Sequence, residues 1–216
     1  MKKIALFFLI YLFFQNVASA FYQLPTTSLA QKHWGIGVVQ VPGEILVHRE
    51  PNVFSEIIFE IKTEGNKILC DSKECENSPF VAFYPEKKYA FLVAEDEQEG
   101  WAQVYCNQPD SSFGWVKLNE DTIFYTWAKF LNLFGRRHGL YLFKDVKKKD
   151  KILFAQPFSG SQSVDKFEYP KHISPWYVSG NFVMVKLLNY DNVQKTGWLR
   201  WRTDNGELML FPDFKH

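Results

Sequence analysis

The sequence lacks an excess of charge of either sign and, beyond its first twenty residues, any long hydrophobic run. Without the two lysines of that leading segment, 23 basic residues face 24 acidic ones. A protein that binds nucleic acid or an anionic membrane relies on a basic face, so this balance argues against both partners. No later segment approaches the roughly 18 uncharged apolar residues of a membrane helix. We therefore expect no integral membrane segment after residue 20.

The sequence also lacks the motifs that mark common catalytic and metal sites. It has no Gly-x-Ser-x-Gly, no phosphate-binding glycine loop and no His-Glu-x-x-His. Its five histidines are scattered, and none pairs with another at the spacing of two, three or four residues that indicates zinc. The acidic run Glu95-Asp96-Glu97 is interpreted as a solvated turn. The sequence thus predicts no metal, no cofactor and no enzymatic activity.

Cysteine is scarce, with only Cys70, Cys75 and Cys106 in 216 residues. An odd number leaves one thiol unpaired or joined to another molecule. A local disulfide between Cys70 and Cys75 is the most economical pairing, and Cys106 with either of them is the alternative. Neither Cys70 nor Cys106 opens a plausible helix, where a catalytic thiolate would be activated. A secreted hydrolase with a site at Cys106 or at an unrecognised carboxylate is the alternative function.

What the sequence does have is an apolar leader. Two lysines precede an uncharged run over residues 4–14, and Ala18-Ser19-Ala20 follows with small residues at the positions that a signal peptidase reads. This pattern is typical of a secretory signal peptide over residues 1–20. The sequence therefore predicts export to the periplasm or the extracellular space, with residues 21–37 as a lead-in.

A Gly-Trp strand occurs twice. Gly114-Trp115-Val116-Lys117 and Gly197-Trp198-Leu199-Arg200 each precede a polar turn and a second apolar run. Each also follows another strand-like segment, Trp101 to Tyr105 in the first half and Asn181 to Leu187 in the second. Aromatic residues are abundant, with 33 beyond residue 20, which favours strands. Short strands separated by turns predict an all-β protein.

The duplication extends backwards along the chain. Residues 43–50 resemble residues 139–145, and each segment is followed by another apolar strand. The first copy is 13 positions longer than the second, which indicates an insertion at about residues 64–90. An internal duplication of this kind decides the architecture more than any single strand does.

We expect two tandem domains, over residues 38–126 and 137–212. Thr126 could cap a short helix that ends at Gly135. A short helical or irregular linker is therefore predicted over residues 127–136.

These residues resemble the bacterial SH3-like domains known as SH3b. Such domains commonly carry a strand with a Trp-x-x-Val run, a turn, and then Gly-Trp-Val or Gly-Trp-Ile. Trp101-Ala102-Gln103-Val104 and Gly114-Trp115-Val116 fit this pattern, whereas Phe182 replaces the first tryptophan in the second copy. The resemblance covers roughly residues 38–126 and 137–212. It implies two small barrels of five or six antiparallel strands that bind peptides, cell-wall material or neighbouring domains.

The Gly-Trp pair has a structural explanation in such a barrel. Glycine permits a sharp bend or a bulge, and tryptophan fills a core too small for aliphatic residues to close. Core positions are therefore predicted for Trp101, Trp115, Phe182 and Trp198. Aromatic residues in loops are better suited to ligand contact, and the candidates are Tyr169, Trp176, Tyr177, Phe83 and Tyr84.

The sequence as a whole predicts an exported, non-enzymatic, tandem SH3-like binding protein of a bacterial envelope. Its expected partner is peptidoglycan, a peptide or an envelope protein, and not nucleic acid. Besides the secreted hydrolase, a structural assembly subunit is an alternative, in which an apolar linker face around Trp127 and Phe130 would form an oligomer contact.

Overall fold

The computed structural model describes residues 34–65, 67–71, 73–75, 79–84, 89–106, 113–168 and 170–214. The predicted signal peptide and most of the lead-in lie outside the described residues. The chain is mostly strand, and the predicted all-β class is confirmed. Among the described residues, no helix combines the length and the apolar character needed to cross a membrane.

The first sheet has ten strands. They are β1 (Gly37–Pro42), β2 (Glu44–His48), β3 (Ile57–Glu64), β4 (Lys67–Cys70), β5 (Lys73–Glu74), β6 (Phe80–Tyr84), β7 (Tyr89–Gln98), β8 (Trp101–Tyr105), β9 (Phe113–Lys117) and β10 (Ile123–Thr126). A disulfide joins Cys70 to Cys75 across the β4–β5 turn, which is the pairing that their proximity in sequence favoured.

The second sheet has seven strands. They are β11 (Leu140–Leu142), β12 (Ile152–Phe154), β13 (Ser163–Lys166), β14 (His172–Ser179), β15 (Phe182–Leu188), β16 (Gln194–Arg200) and β17 (Leu210–Pro212). Helix α1 (Trp127–His138) connects the sheets, and a short 3-10 turn covers Lys148–Asp150.

The two sheets share one strand order. The first runs β10-β1-β7-β8-β9-β2-β3 and continues to β4 and β5, with β6 also paired to β7. The second runs β17-β11-β14-β15-β16-β12-β13. Taken in chain order, its seven strands occupy the places of β1, β2, β3, β7, β8, β9 and β10. The remaining strands, β4 to β6, fall at the residues of the predicted insertion. The internal duplication is therefore a property of the fold.

Two β-bulges also recur at matching places. In the β7–β8 ladder the register shifts at Glu95, and in the corresponding β14–β15 ladder it shifts at Trp176. The β2–β3 ladder shifts at Ile58, and the corresponding β12–β13 ladder shifts at Val164. Since an extra residue bends a strand locally, both sheets are bent at the same two points.

The strand order corrects two details of the sequence comparison. Strand β11 corresponds to β1 rather than to β2, so pairing residues 43–50 with residues 139–145 was displaced by one strand. Gly43 alone separates β1 from β2, and the absence of a longer turn hid the boundary. The sheets are also open rather than closed barrels, because no ladder among the described strands joins the two ends of either sheet.

Helix α1 begins as the sequence predicts and ends later. The hydroxyl of Thr126 accepts a hydrogen bond from the backbone N–H of Lys129, an N-cap. The helix passes through Gly135 and stops at Gly139, whose φ of 79° suits glycine. At Gly135 a Cβ would lie 2.9 Å from Pro175 Cγ of β14, so this glycine allows close packing of the helix on the second sheet.

The apolar face of α1 lies at the centre of the molecule. Trp127, Phe130, Leu131 and Phe134 join one buried cluster with residues of both sheets, among them Phe91 and Phe211. A second cluster lies within the first sheet alone. Trp127 and Phe130 are covered within the chain, so the proposed oligomer contact at these residues was wrong. The helix is therefore part of a core that both sheets share.

Candidate functional site

The outer face of the second sheet carries four large side chains in a line. Tyr177, Met184, Trp198 and Phe154 lie directly opposite one another on β14, β15, β16 and β12. These four residues form the aromatic row. With neighbouring strands about 4.8 Å apart, the row spans about 14 Å.

The row faces outward because side chains alternate along a strand. Val183, Val185 and Leu199 alternate with row residues on β15 and β16, and all three are fully buried in the central cluster. Tyr177 is 62% exposed, and the other three members are partly exposed. The row is thus a surface that solvent reaches.

Contacts between rings support the row. The ring centroids of Tyr177 and Trp198 are 5.9 Å apart in an edge-to-face arrangement. Phe154 makes a similar contact with Phe182 at 5.7 Å. The Arg200 guanidinium lies 5.4 Å from the Phe182 ring centroid and 3.1 Å from Asp204. Such contacts hold aromatic side chains in fixed orientations.

Trp176 lies beside the row because of the bulge in β14. A regular strand would send one of two consecutive residues inward, yet both Trp176 and Tyr177 are exposed, at 50% and 62%. Pro175 before them is buried and Val178 after them packs on the core. The guanidinium of Arg136 in α1 donates a hydrogen bond to the carbonyl of Trp176. The bulge therefore adds a second exposed ring next to Tyr177.

The predicted ligand-binding residues do not come together. Trp176 and Tyr177 are neighbours, although they lie on a strand and not in a loop. Phe83 is fully buried and stacks on Phe80 at 5.9 Å in the core of the first sheet, so it offers no surface to a ligand. Tyr169 and the side chain of Tyr84 lie outside the described part of the chain.

The predicted core residues lie on the outer faces of the sheets. Trp101, Trp115 and Phe182 are buried there, and Trp198 is partly exposed. Gly114 and Gly197 face inward, where a Cβ on Gly114 would lie 2.3 Å from Val47 Cγ1, and one on Gly197 would lie 3.0 Å from Leu153 Cβ. Each glycine therefore makes room for the neighbouring strand, and its tryptophan covers the opposite face.

Sequence reasoning assigned Trp198 of the row to the core and did not single out two further members, Phe154 and Met184. Both strands were predicted, and their alternation of apolar residues was visible. What was missing was the register between β15, β16 and β12, which depends on contacts distant in sequence. A shared loop motif could have supplied part of it: Glu50-Pro51-x-x-x-Ser55-Glu56 and Gln156-Pro157-x-x-x-Ser161-Gln162 occupy equivalent positions.

The same line of positions in the first sheet is more polar. His48, Trp115, Gln103 and Asp96 lie opposite one another there, with Glu95 at the bulge. Trp115 is only 8% exposed. The aromatic row is therefore a feature of the second sheet, although both sheets have the strand order and the bulge that position its residues.

Cys106 does not supply a nucleophile. It is buried at the end of β8, and its Sγ lies 3.6 Å from the carbonyl oxygen of Val104. Burial raises the pKa of the thiol well above its ordinary value, which keeps it protonated. The Cys106 site of the alternative hydrolase was therefore wrong. Within the described ranges, no group of three or more His, Cys, Asp or Glu side chains is arranged to hold a metal ion.

Comparisons with known proteins give no further indication of function. No family model matches the chain, and no curated protein is similar enough to count as a relative. The resemblance to SH3b domains stays a prediction from the sequence motifs.

Proposed function

We propose that this protein is an exported, non-catalytic binding protein of a bacterial envelope, and that the aromatic row with Trp176 is its ligand surface. The observation that carries the proposal is the alignment of Tyr177, Met184, Trp198 and Phe154 across four strands on a solvent-facing surface. Partly exposed rings in a line cost solubility and add little to the core, so they indicate a contact surface.

The row suits a ligand with flat apolar faces and an extended shape. Aromatic rings provide large, rigid contact area, and a line of about 14 Å accommodates sugar rings or several residues of peptide. Lys186 is the next outward residue on β15 after Met184. Among the described residues its ammonium forms no ion pair, so it can meet a carboxylate of the ligand. Peptidoglycan, which combines sugar rings with peptide carboxylates, is the partner that fits best.

Retention on purified cell-wall sacculi tests this proposal. The chain without residues 1–20 should bind, and Trp176→Ala should weaken binding by about tenfold or more, since a buried tryptophan contact contributes at least about 1.4 kcal/mol. Tyr190→Ala is the matched control, because Tyr190 is exposed on the turn between β15 and β16 and lies outside the row.

Lack of retention, or equal retention of the Trp176→Ala and wild-type chains, would reject wall binding. Loss of retention with Tyr190→Ala alone would move the site to the β15–β16 turn. A peptide or an envelope protein would then be the partner to test on the same variants.

A further inference from the structure

The loop between β2 and β3 exposes an apolar tip. Val53 is 49% exposed and Phe54 is 93% exposed. The loop around them is well ordered by hydrogen bonds: Arg49 N–H donates to Glu56 O at 2.9 Å, and Glu50 N–H donates to Ser55 Oγ at 3.0 Å. A phenylalanine is therefore held almost fully in water by a fixed loop.

The second sheet contains the same loop with a different tip, in which Phe158 is 50% exposed. Between β12 and β13, Ala155 N–H donates to Gln162 O at 2.9 Å, and Gln156 N–H donates to Ser161 Oγ at 2.9 Å. Both loops have eight residues between their strands. Counted along them, Ser159 and Gly160 occupy the positions of Val53 and Phe54, and Phe158 occupies that of Asn52.

The fold of the loop therefore does not depend on the Val53–Phe54 tip. The loop forms the same hydrogen bonds with Ser-Gly as with Val-Phe, so folding does not require valine and phenylalanine at these two positions. An exposed phenylalanine costs solubility and here buries almost nothing. Ile57 beside the tip is also about half exposed, and its counterpart is Ser163. The apolar patch of the first loop is therefore available for contact with another molecule.

We propose that the Val53–Phe54 tip docks onto the aromatic row of a second copy of this chain. The row offers partly exposed rings that a phenylalanine can pack against. Charge favours the same pairing: Glu50 and Glu56 beside Arg49 leave the tip net negative, whereas Lys186 and Arg136 leave the row net positive. An anionic bilayer would be repelled by the same acids.

The contact is head-to-tail, since the tip and the row belong to different parts of the chain. Such a heterologous contact leaves one tip and one row open and can continue to longer assemblies. One loop tip buries well under the roughly 1,200 Å² of a stable interface. The association is therefore weak, with a Kd on the order of 0.1 mM, and it competes with any ligand of the row.

Sedimentation velocity over a concentration series tests this contact. The wild-type chain without residues 1–20 should show an increasing average mass as its concentration approaches about 1 mM. The double variant Val53→Ser/Phe54→Gly, which has the residues of the second loop at these two positions, should weaken association by at least about tenfold. Trp176→Ala should weaken it similarly, and Tyr190→Ala should associate as the wild type does.

A mixture of the two variants gives a more specific test of the contact. The tip variant keeps an intact row and the Trp176→Ala variant keeps an intact tip, so the two together should form a one-to-one complex and nothing larger. A monomeric wild-type chain at about 1 mM, association unchanged in the tip variant, or a mixture that stays monomeric would each overturn the proposal. An unchanged melting temperature of the tip variant shows that its fold is intact. Wall retention by the tip variant is expected to persist, which separates this proposal from the binding function.

Discussion

The first and second sheets share a strand order and two bulges, but they carry different side chains on their outer faces. Seven strands in one order and two bulges at matched ladder positions recur in both. At the β7 bulge the pair is acidic, with Glu95 partly buried and Asp96 exposed, whereas at the β14 bulge it is aromatic, with Trp176 and Tyr177 both exposed. Because the backbone holds these positions outward in both sheets, their chemistry is free to differ without loss of the fold.

The neighbouring positions show the same difference. His48 and Gln103 in the first sheet stand where Phe154 and Met184 stand in the second. The His48 ring packs edge-to-face on Trp101 at 5.3 Å, and the second sheet has Phe154 against Phe182 in its place. The shared strand order and bulges therefore determine which way the side chains point. The residue type at these positions decides whether the surface resembles a binding site.

The largest expected effect comes from breaking the core that both sheets share. Phe130 lies 5.0 Å from Phe91 of the first sheet and 5.5 Å from Phe211 of the second, between ring centroids. Phe130→Ala should lower the free energy of unfolding by about 3–5 kcal/mol, and both sheets should still unfold together. Urea unfolding followed by tryptophan fluorescence and by far-ultraviolet circular dichroism measures this.

Leu133→Ala is the control for that experiment, since Leu133 lies on the exposed side of the same helix. It should change the unfolding free energy by less than about 0.5 kcal/mol. Two separate transitions, of which Phe130→Ala shifts only one, would mean that the sheets are independent units.

A smaller effect is expected from the two matched glycines, and it should be unequal. On Gly114 a Cβ would lie 2.3 Å from Val47 Cγ1, within the buried core of the first sheet. On Gly197 the nearest atom, Leu153 Cβ, would lie 3.0 Å away. Gly114→Ala should therefore cost about 2–3 kcal/mol and Gly197→Ala about 1 kcal/mol, since overpacking costs depend on the space available.

Urea unfolding of the two variants side by side measures this difference. Each variant is the control for the other, because both glycines begin a Gly-Trp strand at the same place in its sheet. Equal costs would show that the two strand contacts are equally tight, contrary to the distances.

The sequence predicted what local patterns determine. The Gly-Trp strands, the strands before them and the cap at Thr126 each depend on neighbouring residues, and each lies where it was expected. Residues whose conformation depends on contacts distant in sequence were harder to predict. Glu95-Asp96-Glu97 was interpreted as a turn, but it lies in β7, because pairing with β8 outweighs the low strand preference of acidic residues.

The candidate site shows the same limit. Trp176 and Tyr177 were predicted to lie in a loop, but they lie in β14. Pro175 and the exposed pair after it interrupt the alternation of a strand, and a bulge accounts for both features, since it tolerates proline and places consecutive residues on one side. The aromatic row itself depends on the register of four strands, and register between segments distant in sequence is not a local property.

The smallest expected effect concerns a position that is apolar in the first sheet and charged in the second. Asp165 in β13 corresponds to the buried Phe59 of β3 and forms an ion pair with Lys195. The hydrogen bond from Lys195, with a further one from the backbone of Lys166, lowers the pKa of Asp165. A lowered pKa contributes stability above the unfolded value of about 3.9 that is lost as the pH falls through the folded value.

Asp165→Asn should therefore lower the unfolding free energy by less than about 1 kcal/mol at pH 7, and the difference from wild type should shrink below about pH 4. Urea unfolding at pH 7, 5 and 3 measures it. Glu168→Gln is the matched control, because the Lys148–Glu168 pair is mostly exposed on both sides and should contribute nothing measurable. A difference that persists at pH 3 would mean that Asp165 acts through packing, as Phe59 does in the first sheet, and not through its charge.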